Sequence, residues 1–423
     1  MGKSKKLLFI STRPFWKLDG GHQYEIFHYL RGLREQYGYE IHVYTFLESE
    51  SGDNLSGIPE YIDEVIIAST IKKIDIFKNF ILHIFNTKEP WPLQNMLYFS
   101  KSNVKQIKVL INRINPDVVY VDMERLAPYI VAFADRESCL KVLGYDDLLS
   151  ERYMRQLAVK SEKAKLAGAY SDKLPSIISK LQYVKAIKNF VLRFEADRMK
   201  KSELYYAKQY DSGIFVSNIE SRKFNKIIGR NFAHTVAMGI DYEYQSENIH
   251  VQKEENTFSF VGNLKTAANF ETVVYIIDDI LTHVQSEYKF YVYGVCPDEL
   301  KNRYSEKRNI IFMGRVEDLR KAIKSTMVFL SPIAFGTGIK TKILEAFAMG
   351  MPVITNSVGI EGIEVENGKH CFISDDAEEL AHELDVLLHD QEKRMKLAQN
   401  AQMLAKERYQ WEENWKGFAE AGL

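Results

Sequence analysis

A chain of 423 residues is longer than one hydrophobic core supports, so two domains are expected. With 46% hydrophobic and 27% charged residues the composition is that of a globular protein, and a net charge of −1 gives no basis for binding nucleic acid. The three cysteines, Cys139, Cys296 and Cys371, are odd in number and lack metal-ligand spacing, which suits a reducing cytoplasm and argues against a disulfide framework.

The opening segment, MGKSKKLLFIST, holds only a short apolar run, Leu7 to Ile10, without a small-residue cleavage site. It reads as a first β-strand, not a signal peptide. Lys6–Thr12 is followed by a helical pattern over Gly21–Gln36 and a second strand over Glu40–Phe46. Further short β-like runs occur at Glu64–Ser69, Asp117–Asp122, Leu140–Gly144 and Ser212–Ser217. Strands separated by helices predict a parallel sheet covered on both faces. The plan then repeats, with strands at Phe258–Val261, Lys289–Tyr293, Asn309–Met313, Met327–Leu330 and Pro352–Thr355. The fold class is therefore α/β: two doubly wound, Rossmann-like domains, the join falling between Gly239 and Gln252, with ligands expected in the cleft between them. The boundaries are set at 1–240 for the first domain, 241–405 for the second and 406–423 for a last helix returning to the first.

Two insertions interrupt the first half. Ile71 to Lys108 mixes lysines with Phe77, Phe80, Phe85, Trp91 and Phe99, and Arg152 to Lys208 is rich in Lys and Arg. Within the latter, a helix over Leu174–Leu192 would gather Ile177, Leu181, Val184 and Ile187 or Lys188 on one side, flanked by Lys180 and Lys185. It fits either a helix packed on its own domain or a basic amphipathic helix resting on anionic lipid. No stretch approaches the roughly 18 apolar residues of a spanning helix, so membrane contact is expected to be peripheral, at the inner face of the plasma membrane, in an otherwise cytoplasmic protein.

Ser331 to Gly362, SPIAFGTGIKTKILEAFAMGMPVITNSVGIEG, carries the most chemistry. A strand ends in a loop holding Gly336 and Gly338, and a helix is expected from about Ile339. A glycine-rich loop entering a helix presents backbone N–H groups and the positive end of the helix dipole, an anion site to which Lys340 and Lys342 add full charges for a diphosphate. Glu345, one to two turns on, can accept hydrogen bonds from ribose hydroxyls at the same opening. The plainer alternative makes the glycines turn residues and the lysines merely exposed.

On these residues the chain resembles the family 4 glycosyltransferases, which have the GT-B fold, and in particular the branch with a G-T-G-I-K-x-K donor loop. FSFVGNLKTAANFETV (Phe258–Val273) resembles the opening strand and turn of the family's donor domain, YVYGVCP (Tyr291–Pro297) and IIFMGRVEDL (Ile310–Leu319) its next two strand ends, AMGID (Ala237–Asp241) its interdomain segment, and Pro14 with Gly20–Gly21 its acceptor-side glycine loop. The resemblance implies a retaining, metal-independent, hexosyltransferase-like enzyme using a UDP- or GDP-linked sugar as co-substrate, with no other cofactor. It implies that Glu345 holds the ribose, that backbone N–H groups of Lys340, Thr341 and Lys342 beside Gly338 hold the diphosphate, and that Gly314 and Arg315 lie by the base. Gly262, Asn263 and Lys265 would complete the donor site. Two departures stand out. Thr337 replaces the first glutamate of the family's E-x7-E, and Asn263 and Ala268 stand where the family has Arg and Lys. Diphosphate neutralisation then falls to Lys340 and Lys342, with Lys265 or Arg315 in support.

On the acceptor side, LGYDDLLSERY (Leu143–Tyr153) puts Asp146 and Asp147 at a strand's carboxyl end. Asp146 there would orient or partly deprotonate an acceptor hydroxyl, or else cap a helix. Gly20, Gly21 and His22 follow the first strand, and His22 would face the cleft or serve only the helix start. Asp122-Met123-Glu124 has the form of a metal-binding D-x-D but is set aside as lying in the wrong domain. Gln410–Leu423 is expected as one helix with Trp411, Trp415 and Phe418 in a stripe. The expected partners are a nucleotide sugar, a glycan or lipid-linked acceptor and an anionic membrane surface. Competing readings are a catalytically silent subunit, which the Thr337 departure suggests, and a sugar-nucleotide epimerase. A nicotinamide oxidoreductase is disfavoured because STRPFWKLDGG replaces G-x-G-x-x-G after the first strand.

Overall fold

The computed structural model describes residues 4–18, 21–47, 55–158, 185–336 and 338–423. Gly20, Thr337 and the 174–184 part of the basic segment lie outside the described residues. The described residues divide into two compact units, one lying within 4–157, 185–237 and 414–423, the other within 238–413.

The first unit is a seven-stranded sheet in the order β3-β2-β1-β4-β5-β6-β7. Its strands are β1 (Lys6–Ser11), β2 (Glu40–Thr45), β3 (Glu64–Ile67), β4 (Val118–Asp122), β5 (Leu140–Asp146), β6 (Ser212–Phe215) and β7 (Ala233–Thr235), all paired in parallel. The apolar run of β1 explains its central place: Leu7, Leu8, Phe9 and Ile10 are at most 1% exposed, so both faces are covered. The helices needed here are α1 (Gly21–Glu35), α2 (Lys73–His83), α3 (Leu93–Tyr98), α4 (Lys101–Ile114), α5 (Leu149–Ala158), α6 (Lys185–Tyr206) and α7 (Asn218–Ile228). The chain order reverses between β1 and β4, so the ends of β1, β4 and β5 surround the switch point of this sheet.

Helix α6 is fastened by buried glutamates. Glu195 accepts from the Leu93 N–H at 2.7 Å, at the start of α3, and Glu203 accepts from the Ser150 N–H (3.1 Å) and hydroxyl (2.6 Å) in α5. Each carboxylate thus satisfies amides that a helix N-terminus leaves open.

The second unit is a six-stranded parallel sheet in the order β10-β9-β8-β11-β12-β13. After α8 (Tyr242–Ser246) come β8 (Thr257–Val261), α9 (Ala267–Asp278), β9 (Lys289–Tyr293), α10 (Asp298–Arg303), β10 (Ile310–Gly314), α11 (Leu319–Lys324) and β11 (Val328–Ser331). Then follow α12 (Thr341–Ala348), β12 (Val353–Thr355), β13 (Phe372–Ile373), α13 (Ala377–His389) and α14 (Gln391–Arg408). The switch point of this sheet lies between β8 and β11.

Two expectations need correction. The glycine-loop helix begins at Thr341 and not at Ile339, because Lys340 takes the non-helical N-cap conformation. The single helix expected over Gln410–Leu423 is two short ones, Trp411–Asn414 and Gly417–Glu420. The break divides the aromatic stripe. Trp411 packs on Gly239 in the second unit, whereas Trp415 covers Gly32 and Phe418 lies edge-on to Tyr29 in the first.

Candidate functional site

Each unit gathers chemistry at its own switch point. In the first, α1 starts directly after the loop that follows β1 and brings in His22 and, one turn on, Glu25. Asp122 ends β4 and Asp146 ends β5. His22 Nε2 lies 3.2 Å from the Asp122 carboxylate, and Nδ1 lies 3.6 Å from both Glu25 and Asp146. The strand ends are bent to make this possible. Asp146 has φ 63°, at an irregularity in the β5–β6 register, and Met123 has φ 69°. A left-handed residue costs energy that a plain strand end avoids, and such outliers concentrate where a side chain must be aimed.

Burial sets the electrostatics. Glu25, 3% exposed, is pushed up to about 8 by desolvation and by the Asp146 charge. Asp146 is also raised, by burial and by neighbouring Asp147, against the opposing pull of His22. His22 titrates well above the ordinary imidazole range: burial opposes its charge, but Asp122, Glu25 and Asp146 together outweigh that. At neutral pH the cluster therefore holds an imidazolium on Asp122 and a proton on Glu25. A carboxylate whose pKa is lifted is a stronger base than a free one, so Asp146, with its side chain 17% exposed, can take a proton from a hydroxyl placed against it. Ligand atoms of His22, Glu25 and Asp146 lie within 4.8 Å of one another, close enough to hold a metal ion in place of these protons.

Of the adjacent aspartates, Asp147 turns away to pair with Arg152 (Nε 2.9 Å). Asp122 was set aside in the sequence as part of a D-x-D; in the structure the two acids part. Asp122 joins His22, while Glu124 is buried against Asn95 and Ser202. Glu25 carries little signal in the sequence. Its one signal is an acid on the face of α1 that also buries Ile26 and Tyr29, three residues after His22.

These protons predict how stability depends on pH. Glu25 and Glu203 are raised to about 8 and Glu124 and Glu195 to about 7, all mainly by burial, from an ordinary 4.5. The folded state binds these protons more tightly than the unfolded chain, so the stability they give is complete below about pH 4.5 and is lost as pH rises through 7 to 8. The melting temperature of this unit should fall by roughly 5 °C or more across that window, and Glu25→Gln should flatten the fall, as followed by circular dichroism.

In the second unit the loops after β8 and β11 flank the switch point. Gly262 follows β8, where a Cβ would lie 2.7 Å from the Asn269 side chain, and Gly294, at φ 113°, has no room for a Cβ beside the Gly262 carbonyl. Asn263 and Lys265 are exposed, and Asn263 accepts from Asn269 Nδ2 at 3.1 Å. Gly314 ends β10 with φ 70°, and Arg315 beyond it is exposed. The loop after β11 is clamped at its base: Asn356 bonds the N–H and C=O of Ile333, and Thr272 accepts from the Ala334 N–H at 3.0 Å. Gly338 (φ 69°) then turns the chain into α12, where the Ile343 N–H already bonds the Lys340 carbonyl at 2.9 Å, and the amides of Thr341 and Lys342 are the ones without an intrahelical acceptor. Lys340 Nζ donates to the Gly338 carbonyl.

Lys342 departs from the plainer alternative of an exposed lysine. It does not extend as an exposed cation but folds inward, donating to Asn269 Oδ1 at 2.7 Å and lying 4.5 Å from the Phe260 ring centre. Burial lowers it to about 7, opposed by Glu345, and Glu345 is raised by burial against the pull of Lys342. The structure thus brings together Gly262, Gly338, Lys340, Thr341, Lys342 and Glu345 at one switch point. The residues Asn269 and Phe260 that seat Lys342 carried no signal in the sequence.

Residues 255–390 match the family described as Glycosyl transferases group 1. An uncharacterized 44.6 kDa protein in the cps region of Klebsiella pneumoniae is 26% identical over 178 residues, a match spanning 40% of this chain and 44% of that relative. Sucrose-phosphate synthase from Thermosynechococcus elongatus has a similar structure, with TM-score 0.67, 14% identity and 98% of each chain covered. The Anabaena protein HepE in complex with UDP-glucose is similar at TM-score 0.63, 14% identity and 98% of each chain. The fold is GT-B, built of two Rossmann-like units.

Proposed function

We propose that this chain is a glycosyltransferase that moves a sugar from a nucleotide-sugar donor to a hydroxyl of a glycan or lipid-linked acceptor, in the synthesis of a surface polysaccharide or glycoconjugate. The observation that carries the reading is the clamped, glycine-turned loop entering α12, with Lys340, Lys342 and Glu345 at the switch point of the matched segment. Amides of the first turn and Lys340 would take the diphosphate, Glu345 the ribose, and Gly314 with Arg315 the base. A UDP-linked hexose is the donor favoured by the likeness to HepE, which was solved with UDP-glucose, and a polysaccharide product by the relative in a cps region. With helix amides and lysines meeting the diphosphate charge, transfer needs no metal. The enzyme would work in the cytoplasm, against the inner face of the plasma membrane.

In the retaining reaction that the family resemblance implies, the leaving phosphate helps deprotonate the acceptor and Asp146 only orients it. The buried cluster favours a second reading of the stereochemistry. Asp146, raised in basicity and steadied by the Asp122-held His22, is equipped to deprotonate the acceptor itself for direct displacement, which inverts the anomeric centre. Incubation with UDP-hexoses and a lipid-glycan extract should yield a product one hexose heavier by mass spectrometry, and its anomeric NMR signal decides between the two. Binding of nucleotide with every donor left intact would instead identify a silent subunit.

A further inference from the structure

Helix α2 is inverted. Of its eleven residues, KIDIFKNFILH, the buried one is Asn79, whose amide donates to the carbonyls of Met96 (2.9 Å) and Phe99 (2.8 Å). The exposed apolar ones are Ile74, Phe77, Ile81 and Leu82, and with Phe85 just beyond the helix they are 53% to 89% exposed. At about 100° per residue, Ile74, Phe77, Ile81 and Phe85 fall within one stripe of about 80°, centred opposite Asn79. The helix is not loose. His83 stacks on Trp91 with ring centres 3.6 Å apart, and Arg198 from α6 donates to the carbonyls of Ile84 (2.9 Å) and Asn86 (2.7 Å) at its C-terminal end. Ile76 and Phe80, on the side toward Asn79, are half-buried and hold the helix down, while the other large apolar side chains face outward, and a contiguous patch of this kind marks a contact surface.

The rim identifies the partner. Lys73 and Lys78 are exposed and flank the stripe at the same 100° spacing, and Lys72 just before the helix and Lys88 after it are exposed as well. Across residues 71–90 the acids are Asp75 and Glu89, both half-buried, and Glu89 accepts from the Trp91 indole at 3.0 Å. Protein-contact cores are depleted in lysine, whereas an apolar stripe edged by lysines complements a surface with negative charge above hydrocarbon.

We propose that α2 is a docking helix that seats its Ile74–Phe77–Ile81–Phe85 stripe in the headgroup layer of an anionic bilayer, with Lys72, Lys73 and Lys78 on the lipid phosphates. The proposal builds on the lipid-linked acceptor read above, and its test separates the two because vesicle binding is measured without donor or turnover. The full chain should co-sediment with phosphatidylcholine–phosphatidylglycerol vesicles at low salt, and far less with phosphatidylcholine alone or at high salt. Phe77→Ser with Ile81→Ser should weaken that binding roughly tenfold or more at any salt. Lys72→Gln with Lys73→Gln and Lys78→Gln should remove the salt dependence. Both variants should keep the wild-type melting temperature, because these side chains support nothing inside. Wild-type protein that stays in the supernatant overturns the proposal. So does a marked fall in melting temperature for the Phe77 and Ile81 variant, which would mean that the chain covers the stripe itself. Concentration-dependent self-association lost in that variant would assign the stripe to a second copy and equally overturn it.

Discussion

Asp146→Asn should lower turnover by about 100-fold or more while leaving nucleotide binding unchanged, because on the proposed direct-displacement reading it removes the acceptor's base, which belongs to the first unit, while the proposed nucleotide site belongs to the second. The acid limb of the kcat profile follows from the same geometry. Asp146 acts as a base only when deprotonated, and its pKa is raised, so activity should climb with pH over a range above that of an ordinary aspartate. Asp122→Asn should move that limb further up. Without the Asp122 anion His22 loses its main source of cationic charge, and the positive charge that restrains the Asp146 pKa goes with it. A structural role for Asp122 would lower stability but leave the pH limb in place. Measured pH profiles of the two variants beside the wild type make the distinction.

The second large effect is expected at Lys342 and Glu345. Glu345→Ala should weaken nucleotide binding by about 10- to 100-fold if its carboxylate bonds the ribose, from the usual worth of hydrogen bonds to a charged group. Lys342 adds a pH signature. Burial holds it at about 7 in the free protein, and a diphosphate nearby favours its charged form. Below about pH 7 the lysine is already charged and affinity is flat. Above it each binding event must take up a proton, so affinity should fall by up to roughly tenfold per pH unit until the pKa of the bound state is reached. Lys342→Met should bind more weakly at low pH and lose this dependence. Titration calorimetry in buffers of different ionisation enthalpy reads the proton directly.

Much of this architecture was legible because the strands are short apolar runs punctuated by helices. Leu7–Ile10, buried on both faces, could not be mistaken for an amphipathic element, and GTGIKTKILEAF pairs a glycine turn with a helix start as anion sites do. What was not legible depends on neighbours distant in sequence. Lys342 reads as an exposed cation until Asn269 and Phe260, about seventy to eighty positions earlier, are placed beside it by the β8–β11 pairing. Asp122 reads as half of a D-x-D until the left-handed Met123 sends its two acids in opposite directions. The strands Ala233–Thr235 and Phe372–Ile373 are too short to carry a period, and tertiary pairing alone defines them. The split of the last helix follows from packing, since Gly417 must come against the Thr235 carbonyl where a side chain would not fit.

The central claim is that the second unit holds a nucleoside diphosphate at the start of α12. The most direct test is calorimetric titration of UDP and of GDP into the wild-type chain and into Glu345→Ala, above and below pH 7. The account predicts that one of the two nucleotides binds the wild type, more tightly at the lower pH and with proton uptake at the higher, and that the variant binds it at least tenfold more weakly. Binding of neither nucleotide, or equal binding to both proteins, would contradict it.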